Sequence, residues 1–194
     1  PKSPLTFWFN KMDLVDLIAE KRFLGQEFLT WLWFKSDERG GTVYLPGTGD
    51  ITLVFEKHML LESGEGESHE KIVCQGLQSQ LQEARTGLSM GKKLEQTRIH
   101  LELGEYEYHL TLKGSLFEFR SVKPPKTMEG SDESDDPAAV EGRILDRIGL
   151  LETATRTIDE LFRLFLKIRI SPEWRDEVEK IRSWINRAGA GQAG

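Results

Sequence analysis

Phe23-Leu24-Gly25-Gln26-Glu27-Phe28-Leu29-Thr30-Trp31-Leu32-Trp33-Phe34 sets two tryptophans and three phenylalanines within the span of a single helix. Read as a helix, it puts Phe28, Trp31 and Leu32 on one face, while Trp33 and Phe34 extend the apolar surface around the cylinder. A helix apolar on most sides has to be buried on most sides. Each large aromatic that leaves water contributes roughly 2 to 3 kcal/mol, so this segment can anchor a small domain and reads as its packing hub. Upstream, Asn10 or Asp13 can cap a short helix burying Leu14, Leu17 and Ile18, with Gly25 separating it from the aromatic helix.

Downstream the period changes from helical to alternating. Thr42 to Leu45, the turn Pro46-Gly47-Thr48-Gly49-Asp50 and Ile51 to Phe55 read as a β-hairpin. A strand is expected over His58 to Glu62, a Gly/Glu-rich loop over Ser63 to Ser68, and another strand over His69 to Gln75. Gln78 to Leu88 then reads as a short helix with Leu81 and Ala84 facing inward. In Thr97 to Leu103, Ile99, Leu101 and Leu103 share one face while Arg98, His100 and Glu102 share the other, the alternation of a half-buried antiparallel strand. Turns at Gly104-Glu105 and Lys113-Gly114-Ser115 lead into Tyr106 to Leu112 and Leu116 to Arg120, completing a β-meander.

Pro124-Pro125 stops the sheet, and the acidic run from Met128 to Asp136 is a solvated linker. Pro137 opens a long helix to about Ile170, in which Ile144, Ile148, Leu151, Thr155, Ile158, Phe162 and Phe165 follow steps of four and three, the spacing of a coiled-coil seam. Leu145, Leu150, Leu161 and Leu164 widen the stripe, which suits a helix packed on neighbours of its own chain. If the stripe pairs with a second chain instead, Ile144, Ile148, Leu151, Ile158, Phe162 and Phe165 are the oligomer interface. Ser171 at the N-cap and Pro172 in the first turn start a final helix burying Trp174, Val178, Ile181 and Ile185, so the two form a helical hairpin. The expected architecture is α+β: an antiparallel β-meander with N-terminal aromatic helices over residues 1–126, a linker at 127–136, the helical hairpin at 137–187 and a flexible tail at 188–194.

The 194 residues suffice for one domain with an appended helical piece, and 38% hydrophobic with 30% charged residues is a globular composition. No run of about 18 apolar residues spans a bilayer. The start at Pro1, without a methionine or a signal-type apolar core, points to a piece of a longer product. Cys74 is the single cysteine, which excludes an internal disulfide and a cysteine-based zinc finger; it reads as a small buried hydrophobe, and a reducing cytoplasm is the expected home.

Catalytic constellations are not found. The four histidines, His58, His69, His100 and His109, have no metal-ligand spacing, and His100 with Glu102 reads as a surface pair, so neither metal nor cofactor is expected. Gly87 to Lys93 fails as a phosphate loop because four residues must separate its glycines and Ser or Thr must follow the lysine. Ser89-x-x-Lys92 has the spacing of some acyl enzymes, a pattern common by chance, and nothing assembles a nucleophile, base and oxyanion site. The chain is therefore not expected to be an enzyme.

Although the net charge is −6, cations cluster locally: Lys92, Lys93 and Arg98 in one stretch and Lys113, Arg120, Lys123 and Lys126 in the next. From adjacent strands they could track the phosphates of double-stranded DNA. Phe23 to Ser36 resembles divergent members of the RdgC family of recombination-associated proteins, and Gly91-Lys92 followed by Thr97-Arg98-Ile99-His100-Leu101 is similar to the Gly-Lys and Thr-Lys/Arg-x-x-Leu pattern of that family's central β-region. The likeness covers about Phe23 to Lys126, and the helices after Pro137 depart from it. The resemblance implies a cytoplasmic, nucleoid-associated homodimer that encircles duplex DNA without sequence preference and restrains a RecA-type recombinase, with no metal or nucleotide. It supports Lys92 and Arg98 as DNA contacts and, weakly, Gln75. Lys93, Lys113, Arg120, Lys123 and Lys126 rest on charge position alone. The alternative is a structural or oligomerisation module acting through the helical hairpin.

Overall fold

The computed structural model describes residues 23–63, 70–75, 79–125 and 137–189. The expected helix at Asp13 to Ile18, the Gly/Glu-rich loop, the acidic linker and Lys126 lie outside the described residues. Helix α1 (Phe23–Glu38) is followed by β1 (Thr42–Leu45), β2 (Gly49–Ser63), β3 (Glu70–Gln75), α2 (Ser79–Ser89), β4 (Lys93–Leu103), β5 (Tyr106–Lys113), β6 (Glu118–Lys123), α3 (Pro137–Arg169) and α4 (Trp174–Gly189). The fold is α+β, with six antiparallel strands among the described residues.

β1 and β3 both pair with β2, at opposite ends of that long strand, and β2-β4-β5-β6 continue the sheet. The two short strands expected at Ile51 to Phe55 and His58 to Glu62 are one strand. Its ladder with β4 slips between Phe55 and Met59, so Glu56, Lys57 and His58 together oppose Arg98. A second shift, between Leu60 and Leu61, leaves Glu95 as an extra residue on β4. That slip brings both Leu94 and Glu95 into the interior.

The inward face carries Leu53, Phe55, Met59, Leu61, Ile99, Leu101, Tyr108, Leu110 and Leu112, all buried beneath the helices. Against it lies α1, whose Phe28, Leu29, Trp31, Leu32, Trp33 and Phe34 are at most 3% exposed. A helix buried on so much of its circumference needs cover on its far side, and α3 and α4 supply it. Phe28 meets Phe162 edge-on at 5.2 Å and Phe165 at 5.7 Å, and Trp184 meets Trp33 at 5.0 Å. Polar contacts tie the same layers: Trp31 Nε1 donates to Glu177 at 3.0 Å, Trp184 Nε1 donates to Asp37 at 2.8 Å, and Arg169 pairs with Glu27 at 2.8 Å. The helical pair thus shares the core of the sheet domain, and the acidic linker does not separate two cores.

Gly25 does not divide two helices; it lies in the first turn of α1. A Cβ there would sit 1.9 Å from the carbonyl oxygen of Gly114 in the β5–β6 turn, so glycine allows the helix to touch that turn backbone to backbone. In the same turn Phe117 holds φ at 49°, a left-handed conformation that aromatics rarely adopt, with its ring 4.4 Å from Phe162 and 5.8 Å from Phe28. The Ser171 hydroxyl donates back to the Ile168 carbonyl at 2.9 Å, closing α3, while the Ser171 carbonyl accepts from Trp174 N at 3.2 Å to begin the next turn. Helix α4 buries Trp184, Glu177 and Ile181 most deeply, and it extends to Gly189, into the expected tail.

Candidate functional surfaces: the uncovered sheet face and the projecting helix

Alternation on β4 and β5 sends Arg98, His100 and Glu102, and across from them Glu107, His109 and Thr111, to the face opposite the helices. Among the described residues no helix covers this face. It is the surface on which a phosphate-tracking stripe was expected, and the cations do not gather there as one.

Lys92 departs first. It is buried, and its Nζ donates to Ser63 Oγ at 3.2 Å and pairs with Glu70, so the ammonium is consumed inside the fold. This pairing holds the Glu70 carboxyl below its usual pKa. Lys93 lines a cleft with Gln26, Trp174 and Ile181, on the helix side of the sheet. Lys113 lies 3.7 Å from Glu95, a carboxylate only 1% exposed that also accepts from Gln26 Nε2 at 2.7 Å and from the Ser115 hydroxyl. A buried carboxylate needs a cation and hydrogen bonds, and Lys113 meets that need. Arg98 pairs with Glu56 at 3.6 Å and Arg120 with Glu118 at 3.4 Å, both partly exposed. Lys123 is exposed on β6, paired in register with His109, and Gln75 lies in β3 opposite His58. Arg98, Arg120 and Lys123 are what remains of the stripe, interleaved with Glu56, Glu102, Glu107 and Glu118.

The expected oligomer seam on α3 divides in two. Ile158 and Phe165 are fully buried in the chain's own core, and Phe162 packs on Phe28 and Phe117, so these three are unavailable to a second chain. Leu151 stands at the boundary, half-buried. Beyond it Ile144 and Ile148 are each 53% exposed and Leu145 is 59% exposed, and every residue from Glu141 to Gly149 is solvent-facing. Residues 137–149, about 20 Å of helix, project past the body.

Sequence reasoning missed the group formed by His100, His109, Glu107 and Glu56. The rings of His100 and His109 stack across β4 and β5 with centroids 4.8 Å apart and planes 12° from parallel. His100 Nε2 lies 3.6 Å from Glu102, the expected surface pair. The signal was legible: a two-residue turn at Gly104-Glu105 fixes the register that sets His100 opposite His109. The bulge that delivers Glu56 had no such signal.

Cys74 is buried, and desolvation pushes its thiol pKa up, as expected of a packed rather than reactive cysteine. No helix among the described residues is long and apolar enough to cross a membrane. No protein-family model, curated protein or solved structure matches this chain.

Proposed function

We propose that this chain is a non-catalytic assembly module that pairs with a second copy of itself through the projecting half of α3. The observation that carries this reading is the exposed run of Ile144, Leu145 and Ile148, in direct continuation of a seam whose other half is core. Continuous apolar stripes of this kind are uncommon on monomers and mark interaction surfaces. With Ile144 and Leu151 at d positions and Ile148 at a, Arg147 falls at g and Glu152 five residues on at e. In two parallel helices those positions face each other with opposite charge, and Val140 meets Leu145 in the preceding layer. A second copy therefore matches Ile144, Ile148 and Leu151 in shape and pairs Arg147 with Glu152 in charge, and the apolar seam ends at Glu141, the preceding a position. Sedimentation tests it: Ile144→Asp with Ile148→Asp is expected to convert a dimer to a folded monomer. A wild-type chain that sediments as a monomer at every concentration overturns the reading.

A second reading, duplex DNA binding in the manner the RdgC-like strings imply, is favoured by the uncovered face carrying Arg98, Arg120 and Lys123. Exposed ion pairs are worth about 0 to 1 kcal/mol, so phosphates can displace Glu56 and Glu118 from the two arginines. A dimer doubles the three cations, and such a protein would act on recombination by occupying the duplex. A duplex titration at two salt concentrations is expected to show a log-log slope of roughly −3 for one chain's three contacts. A slope of zero, or one unchanged in Arg98→Ala with Lys123→Ala, removes it.

A further inference from the structure

We propose that His100, His109 and Glu107 form a binding site for a divalent transition metal of borderline softness, with zinc as its representative. This goes beyond the assembly reading and does not depend on it. One ring nitrogen from each histidine and a carboxylate oxygen of Glu107 lie within 4.8 Å of one another. Tetrahedral zinc with bonds near 2.0 to 2.2 Å brings its ligand atoms to about 3.4 Å, a closure of about 1.4 Å, and because the two imidazole planes lie 12° from parallel, the His100 ring has to turn out of its stack on His109 as the exposed Glu107 side chain swings in.

Three features separate this group from a chance surface cluster. His100 Nε2 is buried without a hydrogen-bond partner, although Glu102 at 3.6 Å and Glu107 at 4.0 Å offer oxygens around it. A buried lone pair or N–H left unmatched beside carboxylates is what a metal would satisfy. His109 Nδ1 is held at 2.5 Å by Glu56, which makes that nitrogen the donor and leaves the lone pair on Nε2. A carboxylate behind an imidazole orients the ring and raises its basicity, as in carboxylate-histidine-zinc arrangements. Finally, both histidines stand on adjacent strands in fixed register, so the pair is positioned by the sheet and not by a loop.

The donor set decides the metal class. Two imidazoles and one carboxylate suit zinc or its neighbours, whereas calcium and magnesium favour oxygen donors. Three protein ligands leave a fourth position open to water or to an anionic group from a partner.

Calorimetric titration of the full chain with zinc chloride is the test, and one saturable site per chain is expected. Glu107→Gln, a surface change that leaves the core untouched, is expected to weaken binding at least tenfold. The Glu56→Gln variant should lose about 10- to 100-fold through the orienting carboxylate. His100→Ala with His109→Ala, checked for folding by circular dichroism, should abolish the site. Absence of saturable binding, or affinity unchanged in Glu107→Gln, overturns the assignment. So does full stoichiometry in a folded double-histidine variant, which would place the metal on other residues.

Discussion

Single residues in this fold are decided by what their neighbours lack. Glu95 is buried by a one-residue slip in the ladder, and that burial recruits Gln26, Ser115 and Lys113 to it. No alternation rule places a glutamate inside, so Lys113 read from sequence as a solvent cation. Gly25 is the converse case, because its requirement comes from a carbonyl 89 positions away in the chain, at Gly114. Gly25→Ala presses a methyl against fixed backbone on both sides and is expected to cost about 3 kcal/mol, read as a lowered urea midpoint. A residual effect below about 0.5 kcal/mol would show that the contact yields. Lys92 and Glu70 carry a pH signature. The folded-state pKa of Glu70 lies below its ordinary 4.5, so the pair's contribution is full above that value and fades as pH falls through the lower one. Glu70→Gln should therefore flatten the acid limb of the stability curve, with little change in its shape above neutrality.

At the level of elements, the aromatic run and the meander were legible because they rest on composition and period. Helix α1, the β1–β2 hairpin and β5 stand where the pattern puts them, whereas β4 starts at Lys93, four residues before the expected Thr97, and β6 runs Glu118–Lys123, with Leu116 and Phe117 of the expected strand in the turn before it. The strand β2 was read as two, Ile51 to Phe55 and His58 to Glu62, and where the break was placed the structure has a bulge within one continuous strand. The stripe of α3 was legible as a stripe but not as two halves. Spacing reports which residues share a face, whereas only the position of α1 determines where cover ends. Asp at Ile158 is accordingly expected to unfold the chain, while Asp at Ile148 leaves the thermal midpoint within a few degrees. Equal losses from both substitutions would mean that the projecting half is packed in the monomer.

For the molecule as a whole, α1 is the shared middle layer, with the sheet on one side and α3 and α4 on the other. Sequence reading placed a boundary at the acidic linker because composition changes there, but a charged connection says nothing about whether the segments it joins share a core. A chain ending at Pro125 bares the rings of Phe28 and Trp33 and leaves the Trp31 indole without Glu177. It is expected to lose cooperative unfolding and bind a hydrophobic dye, and a sharp two-state melt from that truncated chain would reinstate separate domains.

The order of this sandwich along the chain sets a problem for its synthesis. The helix that needs cover on two sides leaves the ribosome before either of its covers, and the pair closing its second side emerges more than a hundred codons later. At about 5 to 20 residues per second, that leaves the tryptophan-rich surface half-dressed for roughly ten seconds on every nascent polypeptide. Such an interval invites a holding chaperone, and yield in the cell should depend more on that protection than on the final free energy of folding.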